Sequence, residues 1–178
     1  MSQTPRNKGT KPNDDTTDVF VHLANDRDRV VGAFCGEPLV RHMHWVDGRS
    51  ETCVGAGCGW CKQGRRRSFR ATMNFFVSQT REMKVIEGGE RWFRDVLKVR
   101  EKYGLDRWLY EVERHGKFGD SKTYYSILPE RSIDPFLRVE MEANELHDLR
   151  LMSRDNGDKM ASKRERTAGK SKGLKLVI

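Results

Sequence analysis

The sequence predicts a mostly β, α+β domain. Three observations carry that expectation. Residues 68–78 alternate side chains with a period of two, the mark of a strand with one buried face. Several other short runs rich in β-branched and aromatic residues are separated by Gly, Pro, Asn and Asp. Only residues 90–103 carry a sustained helical period. The chain has 178 residues, which suits one domain with a core of its own. It is polar, with 36% hydrophobic and 34% charged residues, yet its 8 Phe, 4 Trp and 4 Tyr argue against disorder throughout.

The elements follow in order. Residues 1–17 hold almost nothing apolar and read as a disordered N-terminal arm. Residues 19–23 and 29–34 read as short strands around a turn at Asn25-Asp26. Residues 39–46 alternate, with Val40, His42, His44 and Val46 on one side. In the strand at 68–78, Phe69, Ala71, Met73, Phe75 and Val77 form the face expected to be buried. Ser68, Arg70, Thr72, Asn74, Phe76 and Ser78 form a mixed face. Residues 84–87 are another strand. In the helix at 90–103, Trp92, Phe93, Val96, Leu97, Arg100 and Tyr103 form a stripe, and Gly104 stands where a C-cap would. Residues 108–112 and 123–128 are strands joined by a loop with two glycines, Gly116 and Gly119. Residues 139–151 read as a closing helix with Met141, Leu146 and Leu149 on its apolar side. The folded body is then residues 18–153, and 154–178 is a flexible basic tail ending in Leu174, Leu176, Val177 and Ile178. Strands interrupted by one helix over such a length suit a small Greek-key barrel of the OB type, with one or two helices.

The densest chemistry lies at residues 42–64. His42 and His44 precede Cys53, Cys58 and Cys61, a C-x4-C-x2-C spacing set among glycines. A C-x2-C pair places two sulfurs on one turn, and soft thiolate with imidazole selects zinc over magnesium or calcium. Four protein donors close the shell and leave no place for a reactive water, so the site is expected to be structural, with one zinc ion. Buried free thiols fit poorly in so polar a loop. A redox pair would be expected to open a helix in a βαβ setting, and a disulfide would call for a secreted protein. The expected ligands are His44, Cys53, Cys58 and Cys61. His42, on the same strand face, is the alternative fourth ligand, and Cys35 is a further candidate.

The formal net charge is +8. Residues 150–178 hold nine Lys/Arg against three Asp/Glu, so the body is nearly balanced and only local clustering points to a partner. Lys62, Arg65, Arg66, Arg67 and Arg70 form such a cluster, with no acidic residue among them. Binding of single strands needs cations along phosphates and aromatic faces for bases. Trp45 beside His44, Phe76 on the mixed face, and Phe118 at a loop tip between Lys117 and Lys122 are the aromatic candidates. No apolar run approaches the length of a membrane-spanning helix, and the first 18 residues hold no apolar stretch of a secretory signal. An intracellular protein is therefore expected. Acidic residues such as Glu87, Glu90, Asp95, Glu111 and Glu113 fall in no catalytic pattern, so no enzyme is expected.

Gly36-Glu37-Pro38, His44-Trp45-Val46, Cys53 through Cys61, Val85-Ile86-Glu87-Gly88 and Tyr103-Gly104, in that order, resemble the zinc-containing single-stranded DNA-binding proteins of tailed phages. These are relatives of the helix-destabilising protein of T-even phages. The resemblance spans residues 19–129. It implies an OB-fold with an inserted zinc subdomain, ligated by His44, Cys53, Cys58 and Cys61. It also implies cooperative, sequence-independent coating of single-stranded DNA during replication, recombination and repair, in the host cytoplasm, with self-association along the strand and contacts to replication or recombination proteins. The chain departs from that pattern at its C-terminus, which is basic where such proteins commonly carry an acidic tail. The competing expectation is a zinc-ribbon interaction module that docks on a replication or transcription protein.

Overall fold

The computed structural model describes residues 19–117, 120 and 122–152. The expected arm at 1–17 and basic tail at 154–178 lie outside the described residues. The elements are β1 (Arg29–Val46), β2 (Arg49–Thr52), α1 (Gly59–Lys62), β3 (Arg67–Val77), β4 (Glu82–Gly88), α2 (Glu90–Tyr103), β5 (Trp108–His115), β6 (Tyr124–Ser132) and α3 (Pro135–Ala143). The strands form one antiparallel sheet in the order β4-β3-β1-β5-β6, with β2 paired to β1 off that path. With β2 set aside as part of the inserted loop, five strands remain in the small barrel-like α+β arrangement that the sequence predicts, and β1 lies at the centre of their order.

β1 is the organising strand. The sequence suggests two strands broken at Gly36-Glu37-Pro38, but the structure has one strand bent there. The register against β3 shifts between Cys35 and Leu39, and Gly36 takes a φ of +67°, which a side chain would strain. Pro38, which has no N–H to give a ladder, falls within the same irregularity. The bend lets β1 serve two neighbours on one edge. Residues 29–32 pair with β5, and residues 43–46 pair with β2, while β3 lies along the other edge.

Two apolar layers result. Inside the barrel, Phe34, Met73, Phe75, Ile86, Tyr110 and Val112 pack with Trp92 and Val96 of α2. The α2 boundaries are those the sequence predicts. Gly104 closes it at a φ of +78°, and the Tyr110 hydroxyl donates to the Gly104 carbonyl at 2.7 Å. Gly88 allows the Trp92 ring to seat, since a Cβ there would lie 2.3 Å from it. On the opposite side of the sheet, Ala33, Phe76, Met83 and Leu109 pack against Ile133 and Leu137.

That second layer corrects two expectations. The closing helix starts earlier than residue 139. Asp134 caps it, accepting from the Leu137 N–H at 2.9 Å, and Pro135 takes the first helical position. The helix also stops at Ala143 instead of running on to 151. The backbone at His147 bonds across to β3 instead: its N–H donates to Asn74 Oδ1 at 2.9 Å, and its carbonyl accepts from Asn74 Nδ2 at 3.2 Å. Residues 19–23 do not form a strand of their own. Phe20 makes a single parallel bridge to Val85, and the Val21 N–H donates to the Val85 carbonyl, so this segment covers the edge of β4. Among the described residues, no helix is long and apolar enough to cross a membrane.

Candidate metal centre

β1 and β3 run past the barrel, and the loop between them is built for a cation. Asp47 and Gly48 both have positive φ, +49° and +79°, and turn β1 into β2 as a two-residue hairpin. Gly55 and Gly57, at +75° and +91°, then fold the chain back so that the Cys58 N–H donates to the Gly55 carbonyl. The single turn of α1 carries Cys61. The Arg65 N–H donates to the Trp60 carbonyl and leads the chain into β3.

His44, Cys53, Cys58 and Cys61 converge, with one ligand atom from each within 4.8 Å of all the others. Cys58 and Cys61 Sγ lie 3.5 and 3.4 Å from His44 Nε2, and Cys53 Sγ lies 3.5 Å from Cys61 Sγ. A tetrahedral ion held at about 2.3 Å by sulfur and about 2.0 Å by nitrogen spaces its donors about 3.5 Å (sulfur to nitrogen) to about 3.8 Å (sulfur to sulfur) apart. The sulfur–imidazole distances match that spacing, and the Cys53–Cys61 pair lies a few tenths of an ångström inside it. The sulfurs are far beyond the roughly 2.05 Å of a disulfide. His44 is fully buried with its imidazole among the three sulfurs, while His42, on the same strand face, is exposed and is not part of the cluster. Cys35 lies instead beside the second apolar layer, its Sγ facing the Ala33 carbonyl, and burial pushes its thiol up to about 11.

Two of the four donors, Cys53 and Cys58, are already held toward the thiolate that a metal takes. The backbone N–H of Cys61, with other turn N–H groups, holds the Cys58 thiol down at about 6. The Gly55 N–H lowers Cys53 in the same way. Cys61 is pushed up to about 11 by burial and by its two sulfur neighbours. Burial pulls the His44 imidazole down, but its bonds to Cys53, Cys58 and the Arg66 carbonyl outweigh this and leave it raised. His44 Nδ1–H donates to the Arg66 carbonyl at 3.2 Å, which turns Nε2 toward the sulfurs. Four such donors fit one structural metal ion.

The basic cluster is tied to this centre through Arg66. Lys62, Arg65, Arg66, Arg67 and Arg70 are all exposed. They do not share one face. The register sets Arg67 opposite His44 and Arg70 opposite Arg41. Alternation therefore places Arg67 on the metal side of the sheet and Arg70 on the reverse side, which also carries Trp45. Trp45 is 68% exposed.

Phe76 requires a correction. The sequence places it on an open face for stacking, but it is 0% exposed and packs in the layer beneath α3. It offers no ring to a base. Lys117 and Lys122 are exposed in the β5–β6 connection, and Phe118 lies outside the described residues. Beside that connection, the Tyr124 ring makes two contacts. It stacks on His115 at 4.6 Å, and the Arg91 guanidinium lies 4.7 Å above it. The sequence reading missed β2, although Asp47-Gly48 is a strong hairpin pair. It also missed Arg41, whose signal was its place two residues before Met43 on the Trp45 side of β1. Compared with known proteins, the chain matches no protein-family model, no curated protein and no solved structure.

Proposed function

We propose that this protein binds single-stranded DNA without catalysis, coating unpaired strands during replication, recombination and repair, and that its metal is one structural zinc ion. One observation carries the reading. The buried His44 that completes the metal cluster holds the Arg66 carbonyl, so metal binding fixes an exposed basic run at the mouth of a sheet bearing an exposed tryptophan. Arg65, Arg66, Arg67, Arg70 and Lys62 neutralise phosphates, and Trp45 supplies a face for a base. Lys117 and Lys122 extend the cationic surface from the β5–β6 connection. Three free cysteine donors are favoured in a reducing compartment, which supports an intracellular protein. The resemblance to phage single-stranded DNA-binding proteins supports the same reading and a phage origin.

The test is a titration of labelled oligo-dT and of a matching duplex at one stated salt concentration. Preferential binding of the single strand is expected. Equal affinity for both, or none for the single strand, would count against the reading. Metal content by mass spectrometry on protein purified without chelator should give one zinc per chain.

A second reading has its own observation. Phe136 and Val139 lie one turn apart on α3 and are 86% and 67% exposed, which favours a protein partner. In that reading the chain is a zinc-ribbon module docking on a replication or transcription protein, and the basic tail holds nucleic acid. Deleting residues 154–178 separates the two. The body alone keeps its DNA affinity in the first reading and loses most of it in the second.

A further inference from the structure

On the reverse side of the sheet from the metal, two arginines stand side by side on neighbouring strands. Arg41 of β1 and Arg70 of β3 are direct partners in the register. One carboxylate from the next strand serves both. Glu87 of β4 accepts from Arg41 Nη2 at 2.6 Å, pairs with Arg70 Nε at 3.6 Å and accepts from the Thr72 hydroxyl at 3.1 Å. The Arg41 side chain is only 15% exposed, and its Nε is buried with no acceptor. A guanidinium has five donors, so one carboxylate leaves most of this pair's capacity unused. Two cations and one anion leave a net positive charge at a point where both arginines are held in place. Trp45 lies four residues further along the same face of β1, about 13 Å away at the rise of a strand.

We propose that Arg41 and Arg70 form a seat for one backbone phosphodiester of the bound strand, and that Glu87 is the positioning residue that holds the two guanidiniums together. The inference rests on the single-strand-binding reading above and adds a located contact to it. A phosphodiester presents two unbridged oxygens, which suit paired guanidiniums better than a lone ammonium. The stacking ring and the seat lie along one strand, as a polymer of alternating phosphates and bases requires. Glu87 also sets a threshold: its carboxylate repels an anion that gains nothing from the neighbouring tryptophan. The seat is thereby biased toward a strand over free phosphate.

The experiment measures oligo-dT affinity against salt concentration for the full chain and for Arg41→Gln, Arg70→Gln, Arg41→Lys and Glu87→Gln, with melting curves for each. Loss of one phosphate contact lowers the slope of log affinity against log salt by about 0.7 for single strands. Arg41→Gln and Arg70→Gln should each show that loss, and Arg41→Lys should keep the wild-type slope. Glu87→Gln should bind several-fold more tightly with no loss of slope, because a neutral amide still accepts from Arg41. Inorganic phosphate at millimolar concentration should not compete with the wild type and should compete with Glu87→Gln. If wild type binds oligo-dT but the two glutamine variants at the arginines keep its slope, the seat is wrong and the broader reading stands. If wild type does not bind, the broader reading itself fails. Should Arg41→Gln melt early, Glu87→Gln decides the matter, since tighter binding of oligo-dT and competition by inorganic phosphate follow from the paired seat and not from Arg70 acting alone. Weaker binding by a normally melting Glu87→Gln would overturn the role given to Glu87.

Discussion

The same two strands, β1 and β3, build both ends of this molecule, and they hold them together by different means. At the barrel end, residues Ala71 to Val77 of β3 are buried on both faces, by α2 within and by α3 and the segment after it without. At the far end, β1 and β3 carry β2 and the cysteine turn, and the buried groups there are mainly His44, Val46, Met43 and Cys58. So few apolar side chains cannot offset the conformational entropy of ordering a glycine-rich loop. What the core does not supply there, the four donors are placed to draw from a metal ion. One end is stabilised by burial and the other presents a donor cluster that fits coordination, and they share a backbone without a sharp boundary.

The widest separation of the two ends is expected on removing the metal. Binding and local folding are one equilibrium in such a loop. Chelation, or Cys58→Ser, should abolish amide protection across residues 47–66 while residues 71–77 and α2 stay protected in hydrogen exchange. Uniform loss of protection through the barrel would show that the two ends fold as one unit. Oligo-dT affinity should fall along with the loop, since Arg66 loses the imidazole it is tied to.

Two aromatic substitutions sharpen the contrast. Phe76→Ala empties a fully buried site in the outer layer and should cost about 3–5 kcal/mol of stability, with metal content unchanged. Trp45→Ala removes an exposed ring and should change stability by less than about 0.5 kcal/mol. It should weaken oligo-dT binding by the roughly 1–3 kcal/mol of one stacked base. Denaturant melts and binding titrations on both variants check the crossing. A Phe76→Ala protein that stays stable but loses affinity would restore the ring to the binding surface.

That pair also shows where sequence reading stops. Period two in β3 sorts its side chains onto two faces correctly: Phe75 and Phe76 do point opposite ways. It says nothing about what covers each face. The cover over Phe76 comes from Ile133 and Leu137, some sixty residues later, and only the packing of α3 reveals it. The metal donors were legible because their spacing is local and their chemistry specific. α2 was legible because its stripe and its Gly104 terminator are both local. The union of two short runs into β1 was not, because Gly36-Glu37-Pro38 signals a break, and only pairing with β3 along the whole length turns that break into a bend. Glu87 was invisible beside Arg41 and Arg70 for the same reason, lying on another strand.

The smallest effect tests whether the outer cover of the barrel end can be loosened without touching the metal end. The Leu137 N–H at the α3 N-terminus holds the Asp134 carboxyl below its usual range, with Arg131 adding to this. A carboxyl depressed in the folded state contributes stability that is fully present above its unfolded pKa. That contribution fades as pH falls through the folded value. α3 should therefore loosen first on acidification below about pH 4, the usual carboxylate range. Its amide exchange should rise relative to α2, whose N-cap is Gly89 and has no such bond. Asp134→Asn keeps an acceptor for Leu137 and should remove the pH dependence of α3, whereas Asp134→Ala should loosen the helix at every pH. The comparison runs wild type and Asp134→Asn through the same pH series, so that any change shared by both variants, such as protonation of the metal donors, cancels. If α3 exchanges identically in Asp134→Ala and wild type at neutral pH, the cap contributes nothing, and the outer layer is held by Ile133 and Leu137 alone.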